Sequence, residues 1–274
     1  MEETHYRIFK QGSKTYFFSS IFFPKEIKED VFILYSFVRK ADDLVDSVPQ
    51  REREFRELER NYHKALEGRP SGDLVVDSFA DLVKRKNFER EWVDGFLRSM
   101  GMDLEVSEYR TLEDLDTYLY GSSEVIGLMM AAIMDLPPES HHHARHLGKA
   151  MQYINFIRDI DEDLAYDRTY FPREELDEYG LDDLSPDTAS RFPYRFDSFM
   201  KAQIERYMEW QAIAEEGFKY IPRRCLIPIR TASEMYRWTG KVIGRNPHIV
   251  YRRKVKPSVP RLLARIAFDT IVPS

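Results

Sequence analysis

The sequence predicts an all-α protein forming a single domain over residues 1–274. Three observations predict it: apolar residues recur at helical spacing along most of the chain, prolines punctuate those segments, and neither a β-hairpin signature nor a repeat of fixed period is present. With 274 residues, the chain is long enough to bury a substantial core as one unit.

The elements follow in order between prolines at positions 24, 49, 70, 137, 138, 172, 193, 222 and 247. Residues 25–47 read as one helix, with Val31, Leu34, Tyr35, Val38 and Asp42 drifting around one face. A charged helix follows over 51–67, and 77–100 holds one or two more. Thr111-Leu112-Glu113-Asp114 is a capping pattern that opens a helix running to Leu136, where Pro137 and Pro138 stop it. The next helix spans 139–164. Residues 165–193 are richer in Asp, Pro and Tyr and read as a lid-like loop with a short helical turn. Helices resume over 195–219 and 223–243, and the end, 257–272, is weakly amphipathic.

Composition excludes several classes of function. A net charge of −6 argues against a general nucleic-acid binder, whose affinity comes from a basic face that neutralises phosphates. The single Cys225 excludes an intrachain disulfide, so a cytoplasmic location is expected. The opening MEETHYRIFKQGSK lacks the apolar core of a signal peptide and the acid-poor character of a transit peptide. No apolar run approaches the roughly 18 to 20 residues that span a bilayer. The 18 Phe and 16 Tyr must partly fill the core; the rest are available to line an apolar pocket.

Two acidic constellations carry chemistry. In Arg39-Lys40-Ala41-Asp42-Asp43-Leu44-Val45-Asp46, the carboxylates of Asp42 and Asp46 are four residues apart and share a helix face. Like charges at that spacing repel by several tenths of a kcal/mol unless a cation sits between them. In the run from Gln152 to Asp163, the side chains of Gln152, Asn155, Asp159 and Asp163 form a polar stripe about three turns long. The other faces carry Tyr153, Ile154, Phe156 and Ile157, so the stripe is expected to line a cavity. Oxygen ligands without His or Cys select Mg²⁺, which keeps water and binds through a few carboxylates plus substrate phosphate. One D-x-x-x-D motif is equally compatible with a solvated helix face; two, each flanked by Arg and apolar residues, favour a site. His141, His142, His143 and His146 include an i,i+4 pair, but no third ligand set accompanies them, and a zinc reading is rejected.

At these residues the chain resembles the squalene/phytoene synthase family. The resemblance rests on ADDLVD and NFIRDIDEDLAYDRTYFP, where Asn155, Arg158, Asp159, Glu162, Asp163, Arg168, Tyr170 and Pro172 fall where the family pattern expects them. YLYGSSEVIG is similar to the family's Tyr-Cys-x-x-x-Ala-Gly-x-Val-Gly helix, and Gly12-Ser13-Lys14-Thr15-Tyr16 to its substrate-contacting segment. The likeness runs from Gly12 to Arg253. It departs at Leu119, in place of the usual Cys, and at Ser123-Glu124, in place of Ala-Gly, which puts a charge on a helix expected to be lined by small residues.

The resemblance implies an isoprenoid synthase-type helical bundle around a central cavity with two facing aspartate motifs. It implies Mg²⁺ held by Asp42, Asp46, Asn155, Asp159 and Asp163, and head-to-head condensation of two prenyl diphosphates, farnesyl or geranylgeranyl, through a cyclopropylcarbinyl diphosphate. Substrate contacts fall to Gly12, Ser13, Tyr16, Tyr35, Arg39, Gln152, Asn155, Arg158, Tyr236 and Arg253, and Tyr118 matches a tyrosine linked to proton removal. Cation-stabilising walls are expected from Tyr16, Phe17, Phe22, Tyr35, Tyr118 and Tyr120. No glycine-rich dinucleotide fingerprint is present, so NADPH is not expected and a phytoene-like or dehydrosqualene-like product is. Transient membrane contact for release of a water-insoluble product is a further expectation, and oligomeric state is not legible. The rival readings are an NADPH-dependent squalene synthase, cyclisation or head-to-tail elongation on the same scaffold, and a non-catalytic homologue serving as an assembly or binding factor. Both acidic motifs are intact, which weighs against the last.

Overall fold

Helix initiation follows the local chemistry of the chain. In the computed structural model, which describes residues 3–12, 17, 20, 22–258 and 260–261, helix α1 (Glu3–Gly12) is followed by α2 (Lys25–Val45), which begins directly after Pro24. Helices α3 (Glu52–Leu66), α4 (Leu74–Arg85) and α5 (Arg90–Met102) complete the first half. Asp73 caps α4 by accepting from the Val75 amide at 3.0 Å. Helix α6 (Leu112–Leu119) has the anticipated capping box: the Thr111 hydroxyl accepts from the Asp114 amide and the Asp114 carboxylate from the Thr111 amide. Among the described residues 76% are helical, and no strand occurs.

The helix expected from Thr111 to Leu136 is interrupted. Residues Tyr120–Glu124 form a π-helical turn in which the Val125 amide bonds the Tyr120 carbonyl, before α7 (Val125–Ile133) resumes the α-helical pattern. The turn meets α8 (His141–Leu164) at very close range. A Cβ on Gly148 would lie 2.1 Å from the Ser123 carbonyl oxygen, and one on Gly127 would lie 2.0 Å from that of Ala144. Only glycine permits this backbone approach at both positions.

Residues 165–193 hold more regular structure than the single helical turn expected. They hold two short helices, α9 (Arg173–Glu178) and α10 (Pro186–Arg191), and bury Phe171, Leu176, Leu181 and Leu184. The segment is also stitched to the α5–α6 connection, with the Thr169 amide bonding the Ser107 carbonyl at 2.8 Å and the Arg173 amide bonding that of Tyr109 at 2.8 Å. Helices α11 (Pro193–Glu215) and α12 (Arg223–Arg245) complete the bundle, joined by a 3₁₀ turn at Glu216–Tyr220.

Two apolar clusters hold the helices together. One, under α1 to α5 and α7, centres on the stacked rings of Phe37 and Phe79 and on Phe55 and Phe96. The other, under α6, α8, α11 and α12, includes Ile154, Phe199 and Tyr207. Helix α8 packs most extensively on α11 and also touches α7, the π-turn and α12, so it is the central pillar. Among the described residues, no helix is long and apolar enough to cross a membrane.

Candidate active site

A cavity of about 1230 Å³, lined by residues of both clusters, runs beside α8. Its lining includes His143 near the start of that helix and Asp163 near its end. At ~1.5 Å per residue, those positions are about 30 Å apart. The walls toward the start of α8 are apolar: Ile126, Met130, Met134 and Leu136 after the π-turn, with Phe218 and Ile229 opposite in sequence. The other end carries the two acidic sets, Asp42 and Asp46 at the end of α2, and Gln152, Asn155, Asp159 and Asp163 along α8.

Burial sets the electrostatics. Desolvation, with the nearby Asp46 charge adding to it, pushes the Asp42 carboxyl up to about 7, against the opposing effect of Arg39 3.2 Å away. Asp42 keeps 37% of its side-chain surface accessible. That surface opens on the cavity, where protein atoms still surround the carboxyl, so partial accessibility and a strong burial effect coexist. Asp163 is raised to about 8 by burial first and the charge of Asp159 second. Asp159 is forked by Arg158 at 2.8 and 2.5 Å and lies 3.2 Å from Lys254.

A third carboxyl stands near the first set. Asp103, just past α5, is buried and pushed up to about 7 by desolvation, which Arg168 and Tyr118 oppose. Its Oδ2 accepts from the Tyr118 hydroxyl at 2.9 Å and its Oδ1 from the Tyr170 hydroxyl at 3.4 Å. Its backbone carbonyl accepts from Gln50 at 2.8 Å and from Arg168 at 3.0 Å, and both donors also bind the Val45 carbonyl. The same guanidinium bonds Asp46 at 2.6 Å. Arg168 therefore ties the end of α2 to the chain beyond α8. Phe156 and Tyr170 stack at 4.0 Å beside the Tyr118 ring, giving the acidic end an aromatic wall.

The structure brings most expected residues to this cavity and leaves some outside it. Gly12, Tyr35, Arg39, Tyr118, Gln152, Asn155, Arg158 and Tyr236 line it with the four aspartates. Burial raises the Tyr35 hydroxyl to about 12, so it stays protonated. Ser13 and Tyr16 lie outside the described residues. Arg253 is exposed and not part of the lining; the basic run reaches the cavity through Lys254 and Lys256. Among the expected aromatic walls, Phe17 belongs to the first core, Phe22 is 45% exposed, and Tyr120 lies under the Arg145 guanidinium. Glu124 is buried but paired, with Arg145 at 2.7 Å and Lys149 at 3.4 Å.

The donor set fits a hard divalent cation. Every candidate ligand atom is oxygen, and the Asn155 Oδ1 is buried with no hydrogen-bond partner. Among the described residues, no three His, Cys, Asp or Glu side chains group closely enough to hold a metal by themselves. Cations bound here would complete their coordination with water or ligand oxygens, the habit of Mg²⁺ at phosphate-binding sites.

Comparison with known proteins places this arrangement. The sequence profile described as squalene/phytoene synthase matches residues 9–262. The chain is 27% identical to the 15-cis-phytoene synthase of Synechococcus elongatus, over 88% of this chain and 83% of that protein. It is 28% identical to the 15-cis-phytoene synthase of a Paracoccus species, over 90% of this chain and 84% of that protein. A crystal structure of a dehydrosqualene synthase in complex with ligand superposes with a TM-score of 0.86 at 23% identity, covering 98% of this chain and 94% of that one. The squalene synthase HpnC of Alicyclobacillus acidocaldarius gives 0.80 at 21% identity, covering 90% and 94%.

Proposed function

Because the chain belongs to the squalene/phytoene synthase family and is a prenyltransferase, we propose that it joins two prenyl diphosphates head to head with Mg²⁺. The reaction passes through a cyclopropylcarbinyl diphosphate to a phytoene-like or dehydrosqualene-like hydrocarbon. One observation carries this reading: a single cavity has oxygen ligands and basic side chains at one end and an apolar bore along the rest. Its volume of about 1230 Å³ exceeds the roughly 300–1,000 Å³ of ordinary single-ligand pockets, in keeping with two long-chain substrates.

Asp42, Asp46, Asn155, Asp159 and Asp163 would hold the metal. When bound, Mg²⁺ supplies Lewis-acid stabilisation of the departing diphosphate and a template for it. The rest falls to the protein. Arg39 and Arg158, with Lys254, provide charged donors for phosphate oxygens near the two acidic sets. The apolar bore excludes the water that would quench a carbocation, and the rings of Tyr118, Phe156 and Tyr170 present aromatic faces to positive charge.

Termination is by proton loss, without NADPH. The test is to incubate the protein with Mg²⁺ and farnesyl or geranylgeranyl diphosphate, with and without NADPH, and to analyse the hydrocarbons. A conjugated triene-centred product without NADPH supports the reading. Squalene formed only with NADPH would assign the reductive alternative, and absence of any turnover would favour the non-catalytic one.

A further inference from the structure

The carboxyl of Asp103 has no place in the metal and phosphate roles just described, yet it is one of the most enclosed acids in the protein. It lies outside both aspartate motifs and reaches the cavity beside the ring of Tyr118. The Tyr118 hydroxyl spends its only proton on Asp103 Oδ2 at 2.9 Å. The hydroxyl oxygen of a residue lining the cavity is thereby left as an acceptor. The backbone of Asp103 is pinned by Gln50 and Arg168, and Tyr170 reaches its second oxygen, so the carboxyl is fixed relative to the ring it holds.

We propose that Asp103 is the terminal proton acceptor of a two-step relay through Tyr118, serving the proton loss that closes the cyclopropane ring. This rests on the condensation reading above. As the C–H bond of the reacting substrate carbon breaks, its electron pair forms the new ring C–C bond. The released proton goes to the Tyr118 hydroxyl oxygen while that oxygen's own proton passes to Asp103 Oδ2. Tyr118 ends neutral and Asp103 ends as a carboxylic acid, which returns its proton to solvent when product leaves.

The surroundings favour this division of labour. Burial raises the Tyr118 hydroxyl well above its ordinary range, so a standing tyrosinate is excluded and a neutral relay is the accessible form. Burial lifts the Asp103 carboxyl to about 7, against the pull of Arg168 and the Tyr118 and Tyr170 hydroxyls and with Asp46 adding to the rise. That basicity suits a proton acceptor working near neutrality. Asp103 acts through Tyr118 and is therefore a positioning and relay residue, not one that touches substrate.

The experiment compares native protein with Asp103→Asn, whose amide oxygen can still accept from Tyr118 but cannot take a proton. Diphosphate release and formation of the cyclopropyl intermediate are followed in single turnovers with Mg²⁺ and substrate deuterated at C1. The expected result is continued diphosphate release with ring closure about 100-fold slower, the scale of a lost general base. The substrate deuterium isotope effect on closure should be larger in the variant than in the native protein. In native protein, D₂O should slow the same step that C1 deuteration slows, because the Tyr118 proton moves with it; this arm does not depend on the variant folding. Ring closure by the variant within about threefold of native, or a native closing step insensitive to D₂O, overturns the relay alone. Native protein that releases no diphosphate from either substrate overturns the condensation reading, and the relay with it.

Discussion

Replacing Asp42 by Asn should stabilise the metal-free protein at alkaline pH and leave it unchanged in acid. The Asp42 carboxyl titrates near 7 in the fold against an ordinary 3.8. Below the lower value both folded and unfolded chains carry the proton, and the carboxyl contributes nothing to the difference. Between the two values the unfolded chain is ionised and the folded one is not, so stability falls by up to about 1.4 kcal/mol per pH unit. Above the upper value the full penalty stands, with a ceiling of about 4 kcal/mol for a shift of roughly three units. Because 37% of the side chain is accessible, solvent screening reduces this, and about 1–2 kcal/mol is the expected size. Urea unfolding in a chelator, run at about pH 4 and about pH 8, checks it. The two proteins should coincide in acid, and the variant should be the more stable by that margin in base. A variant less stable than native at the higher pH would refute the reasoning, because it would mean that the Arg39 pairing outweighs desolvation.

Three further outcomes follow from the geometry. Mg²⁺ and a non-hydrolysable prenyl diphosphate analogue should raise the melting temperature together by more than the sum of their separate effects, since ligand oxygens complete the metal's coordination; additive shifts would indicate independent sites. Glu124→Gln should cost about 2 kcal/mol, less than a fully buried pair because Arg145 is 46% exposed, and should lower the melting temperature by roughly 3–4 °C in calorimetry. Gly148→Ala should cost about 3 kcal/mol or more, because the new methyl would meet the Ser123 carbonyl at 2.1 Å and backbone must move; a melt within one degree of native would refute that contact.

What was legible in the sequence was whatever depends on neighbours along one helix. Asp42 with Asp46, and Asn155 with Asp159 and Asp163, share a face by spacing alone, and the cavity lining contains all five. The proline boundaries placed α2, α3, α8 and α12 to within a few residues. Residues that meet only through tertiary structure were not legible. Asp103 belongs to no acidic motif and follows an amphipathic helix, and Gln50, Asp103 and Arg168 converge from three distant stretches of chain. Reading 165–193 as a loop with one helical turn fell short because its buried Phe171, Leu176, Leu181 and Leu184 follow no helical period, although each is an apolar residue that needs a core. The charge of Glu124 looked misplaced because Arg145 and Lys149, its partners, stand on the next helix.

The π-turn between α6 and α7 sets a rule for moving pieces between relatives. Its extra residue offsets the two helical halves by about 100° relative to a continuous α-helix. With that offset, the Tyr118 hydroxyl meets Asp103 while Gly127 sits flush against Ala144. Deleting one residue from Tyr120–Glu124 would leave Tyr118, Asp103, Gly127 and Ala144 chemically intact and still turn one of those two contacts out of place. A chimera whose junction within this turn drops the extra residue loses that phase. The segment from Tyr118 to Gly127 is therefore the smallest unit that can be exchanged whole, and a crossover belongs in the connections on either side of it.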